Sequence, residues 1–200
     1  MATQRLDTET RQLQIKKAVL EIISDDGLAK LTTRNLAKKV GVSEGAIFRH
    51  FRNKNEIILS IVDDVKTQLI RSQKVIAYGN KSAKERLFEF LCKHVQYLVE
   101  NRGITILLFS EAAYFNETEL KSELSRIMIE QKKYLIKIVK DGIEEGIWDP
   151  EIKVENFSVL YLGIPISLNV EMILNSSNFH RKDFCKNMIC LLERILEKNG

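Results

Sequence analysis

The sequence predicts an all-α protein of about nine helices, and three observations carry that prediction. Only 9 Gly and 2 Pro occur in 200 residues, too little punctuation for a turn-rich β fold. Apolar residues recur at the helical period along nearly the whole chain, with no alternating stretch of useful length and no internal repeat. Helix-start signals return at believable intervals. With 44% hydrophobic and 29% charged residues, the chain can build a sizeable core.

The elements follow in order. A first helix is expected over about Thr8 to Asp25, with Leu13, Ala18, Val19, Ile22 and Ile23 on its apolar face and Gly27 as C-cap. A second opens at Thr32, where Leu31 and Leu36 stand as a hydrophobic staple requires. A third opens at Ser43 as N-cap. A fourth opens at Asn53, with Glu56 to complete a capping box, and carries the stripe Ile57, Ile58, Ile61, Val62, Val65 and Leu69.

Gly79-Asn80 breaks the pattern, and Ser82 with Glu85 restarts it. The helix that follows carries Leu87, Phe88, Leu91, Val95 and Leu98 and ends at Arg102-Gly103. A short apolar piece spans Ile104 to Phe109 and runs on to about Tyr114. Asn116 and Glu119 then open a long helix lined by Leu120, Leu124, Ile127, Met128, Leu135, Ile138, Val139 and Ile143, stopped by Gly146. Asp149-Pro150 reads as a cap followed by proline in the first helical position. It introduces a helix from about Ile152 to Leu174, bent at Pro165, and a last helix spans about Arg181 to Lys198.

Charge is distributed unevenly. Residues 1–55 hold 11 Lys/Arg against 6 Asp/Glu, a net +5, while the remainder nets −1. A basic head on a near-neutral body fits a polyanion-binding module on a carrier domain. It equally fits a solvated helical face, and charge alone does not decide. The polar start carries no signal-peptide pattern, and the most apolar stretch, Val159 to Val170, is broken by Gly163, Pro165, Ser167 and Asn169. Cys92, Cys185 and Cys190 make no CxxC pair and read as reduced, mostly buried thiols, so a cytoplasmic protein is expected.

The stretch from Leu31 to Glu56 meets every demand of two short helices crossing at a tight turn. Ala37 is small enough for the crossing, and Gly41, four residues later, tolerates positive φ. Leu36, Val40, Val42 and Ile47 are apolar where the turn must be buried, and Ser43 caps the second helix. Glu44, Gly45, Phe48 and Arg49 are left facing outward, as the groove-entering face of a helix-turn-helix does. The alternative is a helical hairpin packed inside a bundle.

These residues carry a resemblance. The stretch from about Gln14 to Leu59 resembles the DNA-binding domain of the TetR family of bacterial repressors. Its marks are Thr33-Arg34 at the start of the second helix, Ala37 with Gly41-Val42-Ser43, an aromatic at 48, His50-Phe51, and Lys54. They cover about a quarter of the chain and are specific for that part; the rest matches only in style. The resemblance implies phosphate contacts from Thr33 and Lys54, with His50 as a further one. Arg34 is placed for a base edge or a phosphate, and Glu44, Gly45 and Arg49 are the candidates for base reading, grouped with the capping Ser43. Phe48 departs from the family, which often has tyrosine there. A phenyl ring donates no hydrogen bond, so a thymine methyl or a sugar would be its contact.

One recognition helix reads few base pairs, so a homodimer is expected. The last two helices offer its interface through Phe157, Leu160, Tyr161, Ile164, Leu168, Met172, Phe184, Met188, Leu191, Leu192 and Ile195, and the resemblance implies a four-helix interface built from such a pair. The middle helices would hold a pocket for a small, hydrophobic or amphipathic effector, with Phe88, His94, Phe109, Tyr134 and Tyr161 as contacts and Tyr97 and Tyr114 nearby. Each of these side chains fits a plain core as well.

Enzyme readings do poorly for want of a constellation, and a small-molecule-binding enzyme with an unrecognised site stands only as a third reading. His50, His94 and His180 are too scattered for a metal, and there is no HExxH, GxSxG, P-loop or dinucleotide fingerprint. No catalytic residue, cofactor or metal is expected. The expected organisation is a helix-turn-helix DNA-binding domain over residues 1–54 and a helical effector-binding and dimerisation domain over 55–200. The expected function is that of a repressor which binds a palindromic operator and is modulated by an effector; a protein–protein adaptor docking through its basic hairpin is the alternative.

Overall fold

A computed structural model of the chain describes residues 7–101, 118–174 and 181–197. Among the described residues every regular element is helical. They divide into two compact units, Met1–Asp63 and Asp64–Gly200.

In the first unit, α1 (Thr8–Asp26) starts at Asp7, whose carboxylate accepts from the Thr10 amide at 2.8 Å and from the Thr10 hydroxyl at 2.7 Å. The same two bonds hold the Asp7 carboxyl below its usual range. Gly27 ends the helix at φ 82°, and a 3-10 turn, Leu28–Lys30, leads on. Helix α2 (Thr33–Val40) is capped by Thr32, which accepts from the Asn35 amide at 3.1 Å. Gly41 then takes the left-handed conformation, φ 76°, and passes the chain to Ser43. Ser43 caps α3 (Glu44–Phe48), and α4 (Lys54–Asp64) follows. The Asn53 carboxamide accepts from the Glu56 amide at 2.8 Å, but the Glu56 carboxylate turns to the Arg52 amide, so the expected capping box is closed one residue early.

Ile15, Val19, Ile22, Ile23, Leu36, Ala37, Ile47 and Phe51 form the small core. Two expectations shift. Leu13 is 59% exposed: it lies about 80° outside the arc of Ala18, Val19, Ile22 and Ile23, while Ile15 falls inside that arc and is fully buried. Val40 and Val42 are only half-buried, because the turn they flank lies at the surface. Helix α4 belongs to this unit for nearly all its length, where the sequence reading placed the boundary at 54/55. Packing gives the reason: Ile57 meets the same crevice as Leu31, Leu36, Ile47 and Phe51.

In the second unit the chain continues through a π-helical stretch, Val65–Ile70, into α5 (Arg71–Ala77). Helix α6 (Ala83–Glu100) starts with a complete Ser82–Glu85 capping box. It packs against α5, α7 (Thr118–Glu144), α8 (Val154–Leu174) and α9 (Arg181–Leu196), which makes it the central helix of this unit. Leu87, Phe90, Leu91 and Val95 are fully buried on it. Gly146, φ 74°, terminates the turn after α7, and Trp148 folds back over Gly142, where any Cβ would strike the indole. The Asp149 carboxylate accepts from the Glu151 amide at 2.9 Å, forming a turn; α8 begins later, at Val154. Pro150 therefore stands in a turn and not at the first helical position, while Pro165 lies inside α8. Among the described residues no helix is long and apolar enough to cross a membrane. The three cysteines are free, with Cys185 buried, Cys92 half-buried and Cys190 exposed, which corrects the expectation for the last.

Candidate nucleic-acid interface

Local chemistry fixes the geometry of the first unit. The Ser43 hydroxyl accepts from the Ala46 amide at 3.3 Å, so the start of α3 is held by its own cap. Ile47 anchors α3 inward, being almost fully buried. That anchor fixes which side of a five-residue helix looks out. Glu44, Gly45, Phe48 and Arg49 are all exposed, with half of the Phe48 surface in solvent. A Cβ added at Gly45 would meet nothing within 4 Å, so no packing inside the protein demands glycine there.

Three of the residues singled out by sequence come together. Thr33, Phe48 and Lys54 line one crevice of about 300 Å³, floored by Leu31, Leu36 and Phe51. Thr33 begins α2 and Lys54 begins α4, so two helix N-termini, with their positive dipole ends, meet at its rim. Arg34 and Arg49 are exposed beside it in sequence. The rim is suited to phosphate oxygens, and the α3 face offers an acceptor, a donor and an aromatic edge to base edges.

His50 stands in the turn after α3, half-buried, with its backbone carbonyl accepting from the Gln12 carboxamide at 3.3 Å. Its Nδ1 is buried without a hydrogen-bond partner among the described residues, which leaves Nε2 as the nitrogen able to reach outward. Lys39, 3.4 Å from Glu21 and 3.8 Å from Asp25, ties α2 back to α1. These partly exposed pairs contribute on the order of 0.5 kcal/mol each.

The effector candidates scatter. His94 is buried and lines a cavity of about 50 Å³ in the second unit, walled by Val65, Leu69, Leu98, Leu162 and Pro165. Burial holds its imidazole neutral and lowers its pKa to about 4. Phe88 is a correction: it is 37% exposed on the outside of α6, and Phe90, two positions on, points inward. Tyr134 borders a different groove and packs edge-on to Tyr78, with ring centroids 6.1 Å apart. Tyr161 is fully buried beside Phe90 and Phe157, a core residue whose pKa burial raises. Phe109, Tyr114, Asn116 and His180 lie outside the described residues.

Sequence reasoning missed the polar side chains of the cavity. Gln131 lines it and donates to the buried Gln73 at 3.2 Å. Both interrupt apolar stripes at helical spacing, Gln73 four after Leu69 and Gln131 four after Ile127, and that interruption was the available signal. Among the described residues no group of three or more His, Cys, Asp or Glu could hold a metal ion.

Residues 15–61 match the family described as bacterial regulatory proteins, tetR family. The chain is 31% identical to the fatty acid metabolism regulator protein of Bacillus subtilis over 144 residues, 72% of this chain and 71% of that protein. It is 27% identical to the nucleoid occlusion factor SlmA of Serratia proteamaculans over 148 residues, 73% of this chain and 75% of that one. Among solved structures, the transcriptional regulator FadR from Bacillus subtilis in complex with stearoyl-CoA superposes with a TM-score of 0.73 at 23% identity, covering 90% of this chain and 96% of that chain.

Proposed function

The chain belongs to the tetR family of bacterial regulatory proteins and is a DNA-binding transcriptional regulator, not an enzyme; from that premise we propose that it is a homodimeric, cytoplasmic repressor released from a two-fold operator by a long-chain acyl effector. The observation that carries the proposal is the outward Glu44–Gly45–Phe48–Arg49 face of α3, set beside the Thr33–Lys54 rim. Thr33, Lys54 and His50 hold phosphates, Arg34 a phosphate or a base edge, and Glu44, Gly45 and Arg49 read bases.

Two heads are needed for a useful site. Helix α8 buries Phe157, Tyr161 and Leu168 yet exposes Val159, Leu160, Ile166 and Val170, and α9 exposes Leu191 and Ile195. A face this apolar favours a second copy. The interface is therefore a different subset from the sequence list, in which Phe157, Tyr161, Leu168 and Leu192 belong to the protomer core.

The effector reading rests on a relative that regulates fatty acid metabolism, on a structure of similar fold that holds stearoyl-CoA, and on an apolar cavity with the polar tips His94 and Gln131. The cavity, at about 50 Å³, is far below the several hundred Å³ a drug-sized ligand fills. Binding therefore selects a wider state, and operator release follows if that state binds DNA less well.

The test is selection of random duplex DNA by the purified protein at physiological salt, with sequencing of the bound pool. An enriched two-fold site supports the reading, and stearoyl-CoA should then release it. Enrichment of a single half-site removes the dimer, and no enrichment removes the operator reading.

A further inference from the structure

The second unit carries another concavity beside the apolar cavity. Lys66, Arg71, Lys74, Arg126, Glu130 and Tyr134 line a groove of about 270 Å³ between the π-helical stretch with α5 on one side and α7 on the other. Four cations thus face the Glu130 carboxylate, which lies against the Tyr134 hydroxyl. Glu123 pairs with Lys66 and, at 2.9 Å, with Arg126, which holds those two cations in place. Arg71 and Lys74 are exposed and have no ion-pair partner among the described residues. Two positive charges therefore remain uncompensated in a concave site, which raises the local concentration of anions.

The groove and the cavity are neighbours. Ile127 lines both, and the two sites use adjacent faces of the same elements: Val65 and Leu69 against Lys66 and Ile70, Met128 and Gln131 against Arg126 and Glu130. One side of Ile127 is mainly apolar and the other is cationic.

We propose that this groove is a phosphate-binding subsite, which takes the phosphorylated end of an amphiphile whose apolar chain enters the cavity behind Ile127. The proposal rests on the acyl-effector reading and narrows it. A free carboxylate chain would use the cavity alone and meet a neutral His94 there; a phosphate-bearing ligand gains the fork of Arg71 and the ammonium of Lys74. Coenzyme A thioesters and lysophosphatidates share the required chemistry.

The experiment is titration calorimetry on the full-length protein with stearoyl-CoA, coenzyme A, stearoyl lysophosphatidate and stearate, repeated with Arg71→Glu/Lys74→Glu. Both positions are exposed and have no ion-pair partner among the described residues, so the fold and the operator affinity without ligand should be unchanged. The phosphorylated amphiphile should lose about a hundredfold in affinity in the variant while stearate is unaffected, and binding to the wild type should weaken as salt rises. Whether the thioester or the lysophosphatidate binds more tightly separates the two sources. Equal affinity of variant and wild type for the phosphorylated ligands overturns the groove. Should no acyl ligand bind the wild type, the effector reading fails by itself; coenzyme A alone then tests the groove, and its failure to bind overturns that too.

Discussion

The Arg86 guanidinium meets the Asp141 carboxylate at 2.7 Å (Nη1 to Oδ2), with the arginine buried and the aspartate half-buried. The same side chain donates to the carbonyls of Ala77 and Lys81 at 2.7 and 2.8 Å, so it joins the end of α5, the start of α6 and the last turns of α7. Glu145, 3.4 Å from Arg86, also accepts from the Ala83 amide. One guanidinium thus satisfies two backbone carbonyls and shares the Asp141 carboxylate with Lys137, whose ammonium lies 2.7 Å from it.

Arg86→Ala should destabilise the second unit by about 2–3 kcal/mol, since it leaves two carbonyls without their donor and Asp141 with Lys137 as its remaining cation. Arg86→Lys should recover only part, because an ammonium lacks the planar fork. Urea denaturation checks this, and a loss under about 1 kcal/mol would show the network to be ornamental. Burial raises the Asp141 pKa, but bonds from Lys137 and Arg86 outweigh it and hold the carboxyl below its ordinary 3.8. Its contribution is therefore present above that value and lost as pH falls below it.

His94 should act in a separate pH window. Burial lowers its pKa from 6.5 to about 4, so the unfolded chain takes up a proton that the folded chain refuses. Stability should be level above 6.5 and decline as pH falls towards 4, by up to a few kcal/mol. Denaturation midpoints across that range measure the decline. His94→Gln should flatten it, and an unchanged slope in the variant would assign the effect elsewhere.

On DNA, the roles proposed for Lys54 and Arg49 predict different failures. Lys54→Ala should weaken all duplexes about equally and reduce the salt slope by about 1. Arg49→Ala should relax sequence preference at one position, at about 1–3 kcal/mol for the preferred base. Gly45→Ala has room in the free protein and should raise helix stability by about 0.5–1 kcal/mol, so any loss of operator affinity reports a close approach by DNA. Competition binding over a salt series separates the three, and identical profiles would remove the division of labour.

How legible all this was in the sequence depended on how local the determinant is. The caps at Thr32, Ser43 and Ser82, and the glycine at 41, were readable because each is decided within four residues. Leu13 stands about 160° around α1 from the buried Ile15, and Phe88 as far around α6 from Phe90, so what failed was the choice of residues that edge each stripe, which only the packing against it settles. The Gln73–Gln131 bond lay beyond reach, since it joins residues 58 apart and only the crossing of two helices reveals it. The crevice rim fell between these cases: its members Thr33 and Lys54 were named from a motif, but their meeting around one crevice required the fold.

The proposed dimer makes the last prediction. Leu160 and Leu191 are each 51% exposed in the single chain, so replacing either by glutamate removes little packing within the protomer. If a second copy covers them, the same change places a carboxylate in an apolar contact, and an unpaired buried charge costs several kcal/mol. Leu160→Glu/Leu191→Glu should therefore unfold at the same temperature when dilute yet sediment as a single chain at concentrations where the parent is paired. Operator affinity should fall at least about a hundredfold, because each head would then bind its half-site alone. A variant that stays paired and keeps its affinity would move the interface off this face of α8 and α9.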